Sequence, residues 1–198
     1  MFTINGVFAA EYEVKRSRFI GTICGVNNKQ DAVSFIKAVR TEFKDATHNV
    51  YALILQDENL QKSSDDHEPK GTAGLPVLGV LQNNELTNVV AVVTRYFGGI
   101  LLGAGGLVRA YSKTVQLALK NADVIPVKYY IGIEIILDYS LYSAVTFLFS
   151  SYDIILRKTV FFEKIHISLS VLESHVNDFK AAVFNVCSGN VTWYNEKS

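Results

Sequence analysis

The segment with the most evident chemical potential is rich in glycine and lies between a predicted strand and a predicted helix. Glycine loses more conformational freedom on folding than any other residue, so this density predicts positive φ angles or a close backbone approach. A loop that opens a helix also presents free N–H groups, which favour an anion. The segment has neither the lysine of a Walker loop nor the glycine spacing of a dinucleotide-binding fingerprint. Two interpretations of the glycines remain, a tight connection within the core and an anion-binding site. The five glycines are Gly98, Gly99, Gly103, Gly105 and Gly106.

Basic side chains follow this loop at helical spacing. Arg109, Lys113, Gln116 and Lys120 recur at i, i+4, i+7 and i+11, on a stripe separate from the apolar one. Arg95, at the end of the preceding strand, can join them near the loop. Because guanidinium groups bind phosphate in a bidentate manner, the stripe indicates either a phosphate-tracking surface or an ordinary solvated helix face.

An acidic loop and one histidine are the weak catalytic candidates. Asp65, Asp66 and Glu68 can hold a hard cation or supply acid and base groups, although their spacing is not that of an EF-hand. Equally, they can cap a helix or pair with basic groups. His48 precedes a strand and can act as an acid or base if Asp65 or Glu68 folds over it; the alternative is a structural histidine. We expect no metal and no cofactor.

Composition restricts the class of protein. The chain has 198 residues with 19 basic and 19 acidic side chains, and therefore no net charge. This excludes a globally basic nucleic-acid binder but not a local basic patch. No apolar run reaches the roughly 18 residues that span a bilayer, and Glu11 and Glu13 interrupt any signal peptide. We therefore expect a cytoplasmic protein without a membrane segment.

The helices and strands that must position these residues can be predicted from the sequence pattern. They indicate an α+β protein of two domains, residues 1–125 and 126–198, with the boundary near Pro126. In the first domain we predict strands at 7–14, 19–26, 50–55 and 89–96, helices at 28–43, 72–81 and 107–121, and a polar loop at 56–74. The second domain follows a β-α-β-β-α-β order, which is ferredoxin-like. Ser140 and Ser174 are predicted to cap its two helices.

Several motifs together resemble the bacterial YigZ/IMPACT family. They are Thr47-His48-Asn49, Ser64–Pro69, Gly71–Gly74, and Val93–Gly99 with Gly103–Ser112. The resemblance implies a first domain similar to domain 2 of ribosomal protein S5, a second domain of the ferredoxin-like kind, and binding to nucleic acid, the ribosome or a translation factor. The chain departs from the family pattern at three positions. His67 stands where glycine is expected, and Leu75 and Leu101 stand where basic residues are common.

Three functional hypotheses follow. The first is a non-enzymatic regulatory protein associated with translation, which contacts RNA, the ribosome or a translation factor through Arg95, the five glycines, Arg109 and Lys113. The alternative is a kinase-like or hydrolytic enzyme that uses the glycine loop or His48 with the acidic loop. The third is a protein-binding module that uses the aromatic second domain. The sequence does not indicate the oligomeric state. Convergence of His48, the acidic loop, Arg95 and the glycine loop on one cleft would favour a site over scaffold motifs.

Overall fold

The computed structural model describes residues 1–195 and divides into two compact units, Met1–Val127 and the residues from Lys128 onward. Both units mix helices and strands, as the sequence predicts. The predicted boundary lay at Pro126. The first unit runs slightly further because Val124–Pro126 is a strand that pairs with the strand Phe2–Ile4 at the start of the chain.

The first unit is built on a five-stranded antiparallel sheet. In chain order the elements of the unit are β1 (Phe2–Ile4), β2 (Val7–Val14), β3 (Ser17–Gly25), α1 (Lys29–Glu42), β4 (His48–Leu55), β5 (Leu60–Ser64), α2 (Gly74–Asn83), β6 (Val89–Tyr96), α3 (Ala104–Lys120) and β7 (Val124–Pro126). The strand order in the sheet is β2-β3-β6-β4-β5. Helices α2 and α3 pack on one face of the sheet, and helix α1 packs on the other. The central strand β6 is therefore covered on both faces, which explains its continuous apolar sequence.

Two local predictions for the first unit were wrong. The segment predicted as one long polar loop contains β5, which pairs with β4 through backbone hydrogen bonds that its polar side chains do not reveal. Helix α3 begins at Ala104 rather than Leu107, so Gly105 and Gly106 belong to its first turn. The likeness of this unit to domain 2 of ribosomal protein S5 stays a prediction.

The elements of the second unit follow the predicted β-α-β-β-α-β order. They are β8 (Tyr130–Leu137), α4 (Tyr142–Leu148), β9 (Ile154–Phe161), β10 (Ile165–Leu172), α5 (Val176–Val186) and β11 (Thr192–Asn195). The four strands form an antiparallel sheet with the order β11-β8-β10-β9, and one apolar core joins this sheet to the two helices. Ser140 and Ser174 do not cap these helices, because each lies inside a short 3-10 turn that precedes the helix.

Candidate functional site

Glu68 is the centre of a buried polar cluster in the first unit. The residue is only 8% exposed. Its Oε1 atom accepts hydrogen bonds from Arg95 Nη1 at 2.6 Å and from the Tyr111 hydroxyl at 2.7 Å. His48 Nε2 lies 3.7 Å from the same oxygen. Within residues 1–195, the second carboxylate oxygen, Oε2, has no hydrogen-bond partner.

The strand entrance fixes the orientation of His48. Its Nδ1 atom lies 2.8 Å from the backbone carbonyl oxygen of Asp66. Because a carbonyl oxygen can only accept, Nδ1 carries a proton, and in the neutral ring Nε2 is left with a lone pair. His48 therefore presents an acceptor atom beside Glu68, an arrangement suited to receiving a proton or a hydrogen bond.

Tyr111 is a permanent hydrogen-bond donor to Glu68. Burial raises the pKa of its phenol far above the ordinary value, and the Glu68 carboxylate raises it further. The neighbouring Arg95 only partly opposes this shift in pKa. The hydroxyl therefore stays protonated at every physiological pH and holds the Glu68 carboxylate in place.

Arg95 is turned into the protein rather than toward the exposed basic stripe. It is 4% exposed, and its guanidinium carbon lies 5.3 Å from the ring centre of Phe19 and 5.4 Å from that of Phe97. Nη1 donates to Glu68, while Nε is buried without a partner. The expectation that Arg95 joins the stripe of Arg109 and Lys113 is thus corrected, because ion pairing with Glu68 holds it at the base of the cluster.

The other two acidic residues build the loop that carries Glu68. Asp65 accepts hydrogen bonds from the backbone N–H groups of Gly71, Ala73 and Gly74. Burial alone would raise the pKa of Asp65, but these three donors outweigh it and hold the pKa below its ordinary value. Asp66 accepts from the backbone of Asn49 and from Arg40. In the described part of the chain, no group of three His, Cys, Asp or Glu side chains is placed to hold a metal ion.

Most glycines of the loop have a structural reason. A Cβ atom on Gly98 would overlap the backbone of Arg16, and Gly99 and Gly103 have φ angles of 81° and 72°. Gly106 packs tightly on Leu102. Gly105 differs, because a Cβ atom there would meet only the Arg109 guanidinium, at 3.6 Å. The packing of the described residues therefore does not require glycine at 105.

The motifs converge on one cleft of about 350 Å³. His48, Glu68 and Arg95 line it, together with Gly103 and Ala104 from the start of α3. Apolar side chains form most of the remaining wall, among them Phe97, Leu101, Leu102 and Leu107. The other candidates are not among its lining residues; these are Asp65, Asp66, Gly98, Gly99, Gly105, Gly106, Arg109 and Lys113.

Exposed cations stand around the glycine loop. The stripe of Arg109, Lys113, Gln116 and Lys120 faces solvent along its whole length, which confirms this part of the pattern. The first turn of α3 has no side-chain cap and no acidic residue.

A second group of cations at the loop was missed by the sequence reasoning. Lys15 and Arg16 form the turn between β2 and β3, with φ angles of 47° and 65°. This turn packs against Gly98, whose N–H donates to the Ser17 hydroxyl at 3.2 Å. The contact joins positions about eighty residues apart, so local sequence patterns carry no signal for it.

Comparison with known families gives two matches. Residues 15–119 match the Impact N-terminal domain, and residues 135–190 match a domain of unknown function, DUF1949. Within residues 1–195, no helix has the length and apolar character needed to cross a membrane.

Individual relatives span most of the chain. The IMPACT family member YvyE of Bacillus subtilis is 34% identical over 189 residues, which is 95% of this chain and 87% of that protein. An IMPACT family member of Haemophilus influenzae is 37% identical over 185 residues, 91% of this chain and 89% of that protein. A crystal structure of a hypothetical protein matches with a TM-score of 0.73 and 28% identity, covering 100% of this chain and 97% of that one.

Proposed function

The chain belongs to the IMPACT family, and from this premise we propose that it is a non-enzymatic regulatory protein of translation that binds single-stranded RNA. Family membership supports a regulatory role. The cationic surface around the glycine loop supports RNA as the partner. We define this loop surface as Lys15, Arg16 and Arg109 together with the uncapped start of α3.

The observation that carries the proposal is the meeting of separate cationic elements at one loop. The Lys15–Arg16 turn packs on Gly98, and the Arg109 guanidinium lies beside Gly105. The free N–H groups of the α3 first turn add a partial positive charge at the same place. In a protein without net charge, this local concentration supports contact with a few phosphates rather than broad polyanion binding.

The number of phosphates can be read from salt dependence. For single strands, the logarithm of the binding constant falls by about 0.7 per phosphate contact for each logarithmic unit of salt. Three cations at the loop surface predict a slope of about −2. We expect fluorescence anisotropy with a labelled RNA oligomer, measured from low to physiological salt, to give this value.

A matched pair of variants tests whether the loop surface is responsible. The variant K15N/R16G/R109Q removes three charges, and Asn-Gly is the preferred pair for a two-residue hairpin turn. The control K29A/K37A/K44A removes three exposed charges from around α1, which packs on the opposite face of the sheet. The first variant should lose the salt-dependent binding, and the control should keep it. Equal weakening by both variants, or no binding of RNA by the wild type at low salt, would reject the proposal.

The convergence of His48 and Glu68 on an open cleft favours a second candidate function, a hydrolase. In this candidate His48 Nε2 takes a proton from an attacking water and Glu68 stabilises the resulting imidazolium. The test is turnover of nucleotide and phosphodiester substrates by the wild type and by H48N. Activity that H48N abolishes without a change in folding would establish it, and absence of turnover in the wild type would exclude it for these substrates.

A further inference from the structure

The cleft is lined by two buried residues whose polar atoms are not all paired. Among the described residues Glu68 Oε2 has no hydrogen-bond partner but keeps some access to solvent, whereas Arg95 Nε is itself buried without a partner. Both residues are more than nine-tenths buried, at 8% and 4% exposed, and both line the cleft. A ligand that fills the cleft removes Glu68 Oε2 from water, and a desolvated carboxylate oxygen without a partner is costly, so the ligand must bring a matching donor.

The acceptor atoms of Glu68 and His48 define the edge that a ligand must present. Glu68 Oε2 is a carboxylate oxygen, and His48 Nε2 holds a lone pair near the same carboxylate, 3.7 Å from Oε1. Two neighbouring acceptors require two neighbouring donors. Among the four RNA bases, guanine alone carries two donors side by side on its Watson–Crick edge, the N1–H and the 2-amino group. Adenine, cytosine and uracil each place an acceptor next to their donor.

The walls of the cleft suit the flat face of a base. Phe97 is 44% exposed and Leu101 is 82% exposed, and both line the cleft. Proteins that bind single strands stack unpaired bases on aromatic side chains of this kind. The volume of about 350 Å³ is at the small end of ligand sites, which fits one base and not a duplex.

We propose that the cleft binds one unstacked guanine, with its Watson–Crick edge toward Glu68 and His48 and its face against Phe97. The proposal rests on the RNA-binding function proposed above and names the nucleotide that the site selects. The phosphate of the bound nucleotide lies toward the start of α3, where Ala104 lines the cleft and the Arg109 guanidinium stands beside Gly105.

The first test compares GMP with AMP on the full chain by isothermal titration calorimetry. GMP should bind about ten-fold more tightly, because bound AMP covers the cleft but leaves one acceptor without a donor. In E68Q, the glutamine can still accept from Arg95 and Tyr111, but its amide nitrogen now opposes the guanine donors. The preference should fall to about two-fold or less. Thermal unfolding of E68Q verifies that the variant is folded.

A second variant keeps the test decisive if E68Q does not fold. Phe97 is partly exposed, so F97L should preserve the fold while weakening the stacking platform. It should lower the affinity for GMP and AMP by similar factors and leave their ratio unchanged. An effect of F97L on the ratio, or equal binding of GMP and AMP by the wild type, would overturn the guanine assignment.

RNA oligomers separate this inference from the function on which it rests. A uridine oligomer with one central guanosine is compared with the same oligomer carrying adenosine. Equal binding of both, with the salt dependence intact, overturns the guanine site and leaves the RNA-binding function. Preference for GMP without any RNA binding overturns the RNA-binding function and leaves the guanine site.

Discussion

The two units of the chain differ in what they bury. The first unit buries an ion pair, Glu68 with Arg95, along with hydroxyl and amide side chains such as Ser17 and Asn49. In the described part of the second unit, Ser170 is the one fully buried polar residue, in addition to the buried Nδ1 atom of His175, and the core is mainly aliphatic and aromatic. Two units of similar secondary-structure content are thus stabilised by different means.

The buried ion pair indicates that the first unit contains interactions that do not maximise its stability. Removing a carboxylate and a guanidinium from water is expensive, and the attraction between them often does no more than offset it. Residues with positive φ show the same bias. Among the described residues other than glycine, seven lie in the first unit, including Lys15, Arg16 and His67, and one, Ser188, lies in the second. The buried charges line the cleft, which supports a functional reason for them, whereas none of the seven positive-φ residues lines it.

The largest expected effect comes from removing the centre of the buried cluster. Glu68→Leu leaves the Arg95 guanidinium buried without its partner, so we expect the free energy of unfolding to fall by about 3–5 kcal/mol. The equivalent change in the second unit, Ser170→Ala, removes one hydrogen bond from Arg157 and should cost about 1 kcal/mol. Urea unfolding measures both.

A double variant sharpens this first contrast. In E68L/R95M both charges are gone, and a large part of the lost stability should return because no charge is left unpaired. If E68L costs no more than Ser170→Ala, or if E68L/R95M is no more stable than E68L, the ion pair does not account for the difference between the units.

The next largest effect concerns the loop that carries Glu68. Asp65→Asn weakens three hydrogen bonds from backbone N–H groups, and we expect a loss of about 2 kcal/mol at neutral pH. The pKa of Asp65 is lowered in the folded chain from its ordinary value of 3.8. Its contribution is therefore complete above that value and disappears as the pH falls through the lower, folded pKa.

The difference between wild type and D65N should accordingly shrink in acid. Urea unfolding from pH 7 down to about 3 measures it. A gap that stays constant over this range would contradict the role of the charged carboxylate. A gap that widens in acid would reverse the expected sign.

A smaller effect, in the stabilising direction, is expected at His67. Its φ angle of 71° lies in the left-handed region, which glycine adopts at less cost, so His67→Gly should add up to about 1 kcal/mol. Ser188→Gly, at a φ angle of 49° in the second unit, is the matched control. Equal gains would show that strain at His67 is ordinary turn strain. A loss of RNA or GMP affinity in His67→Gly alone would tie the strain to the site.

The smallest effect on stability is expected at Gly105. Gly105→Asp places a carboxylate in the first turn of α3, where the helix dipole should add about 0.5 kcal/mol relative to Gly105→Ala. The same carboxylate repels phosphate, so RNA affinity should fall in the aspartate variant and not in the alanine variant. Higher stability together with lower RNA affinity in Gly105→Asp would indicate that the phosphate binds at the start of α3. Unchanged RNA binding in Gly105→Asp would argue against it.

The sequence predicted those features that depend on local pattern. The continuous apolar run of β6 predicted a strand covered on both faces, and the spacing of Arg109 and Lys113 predicted an exposed helix face. The sequence did not predict β5, because this strand pairs with β4 through backbone hydrogen bonds and its mostly polar side chains lack the apolar alternation that indicates a strand. Family resemblance identified the motifs, but their chemistry depended on partners distant in the chain.

The arrangement within the site lay beyond local pattern. Glu68 and Arg95 are 27 positions apart, and Glu68 and Tyr111 are 43 apart. The helical spacing of Leu107, Tyr111 and Val115 indicates only that Tyr111 lies on the apolar side of α3. Its hydroxyl bond to Glu68 depends on where the acidic loop folds. Arg95 was grouped with exposed cations because sequence spacing does not show which way an arginine turns at the end of a strand.

The pairing of β1 with β7 has a consequence for how the first unit is made. Strand β1 forms its sheet with β7, the last strand of the unit. During synthesis this two-stranded sheet therefore cannot form until almost the whole unit has left the ribosome. Contacts of such long sequence separation slow folding. The same pairing brings the two termini of the unit side by side. A circular permutant that joins them, with new ends opened in the β4–β5 turn, should therefore retain the cleft.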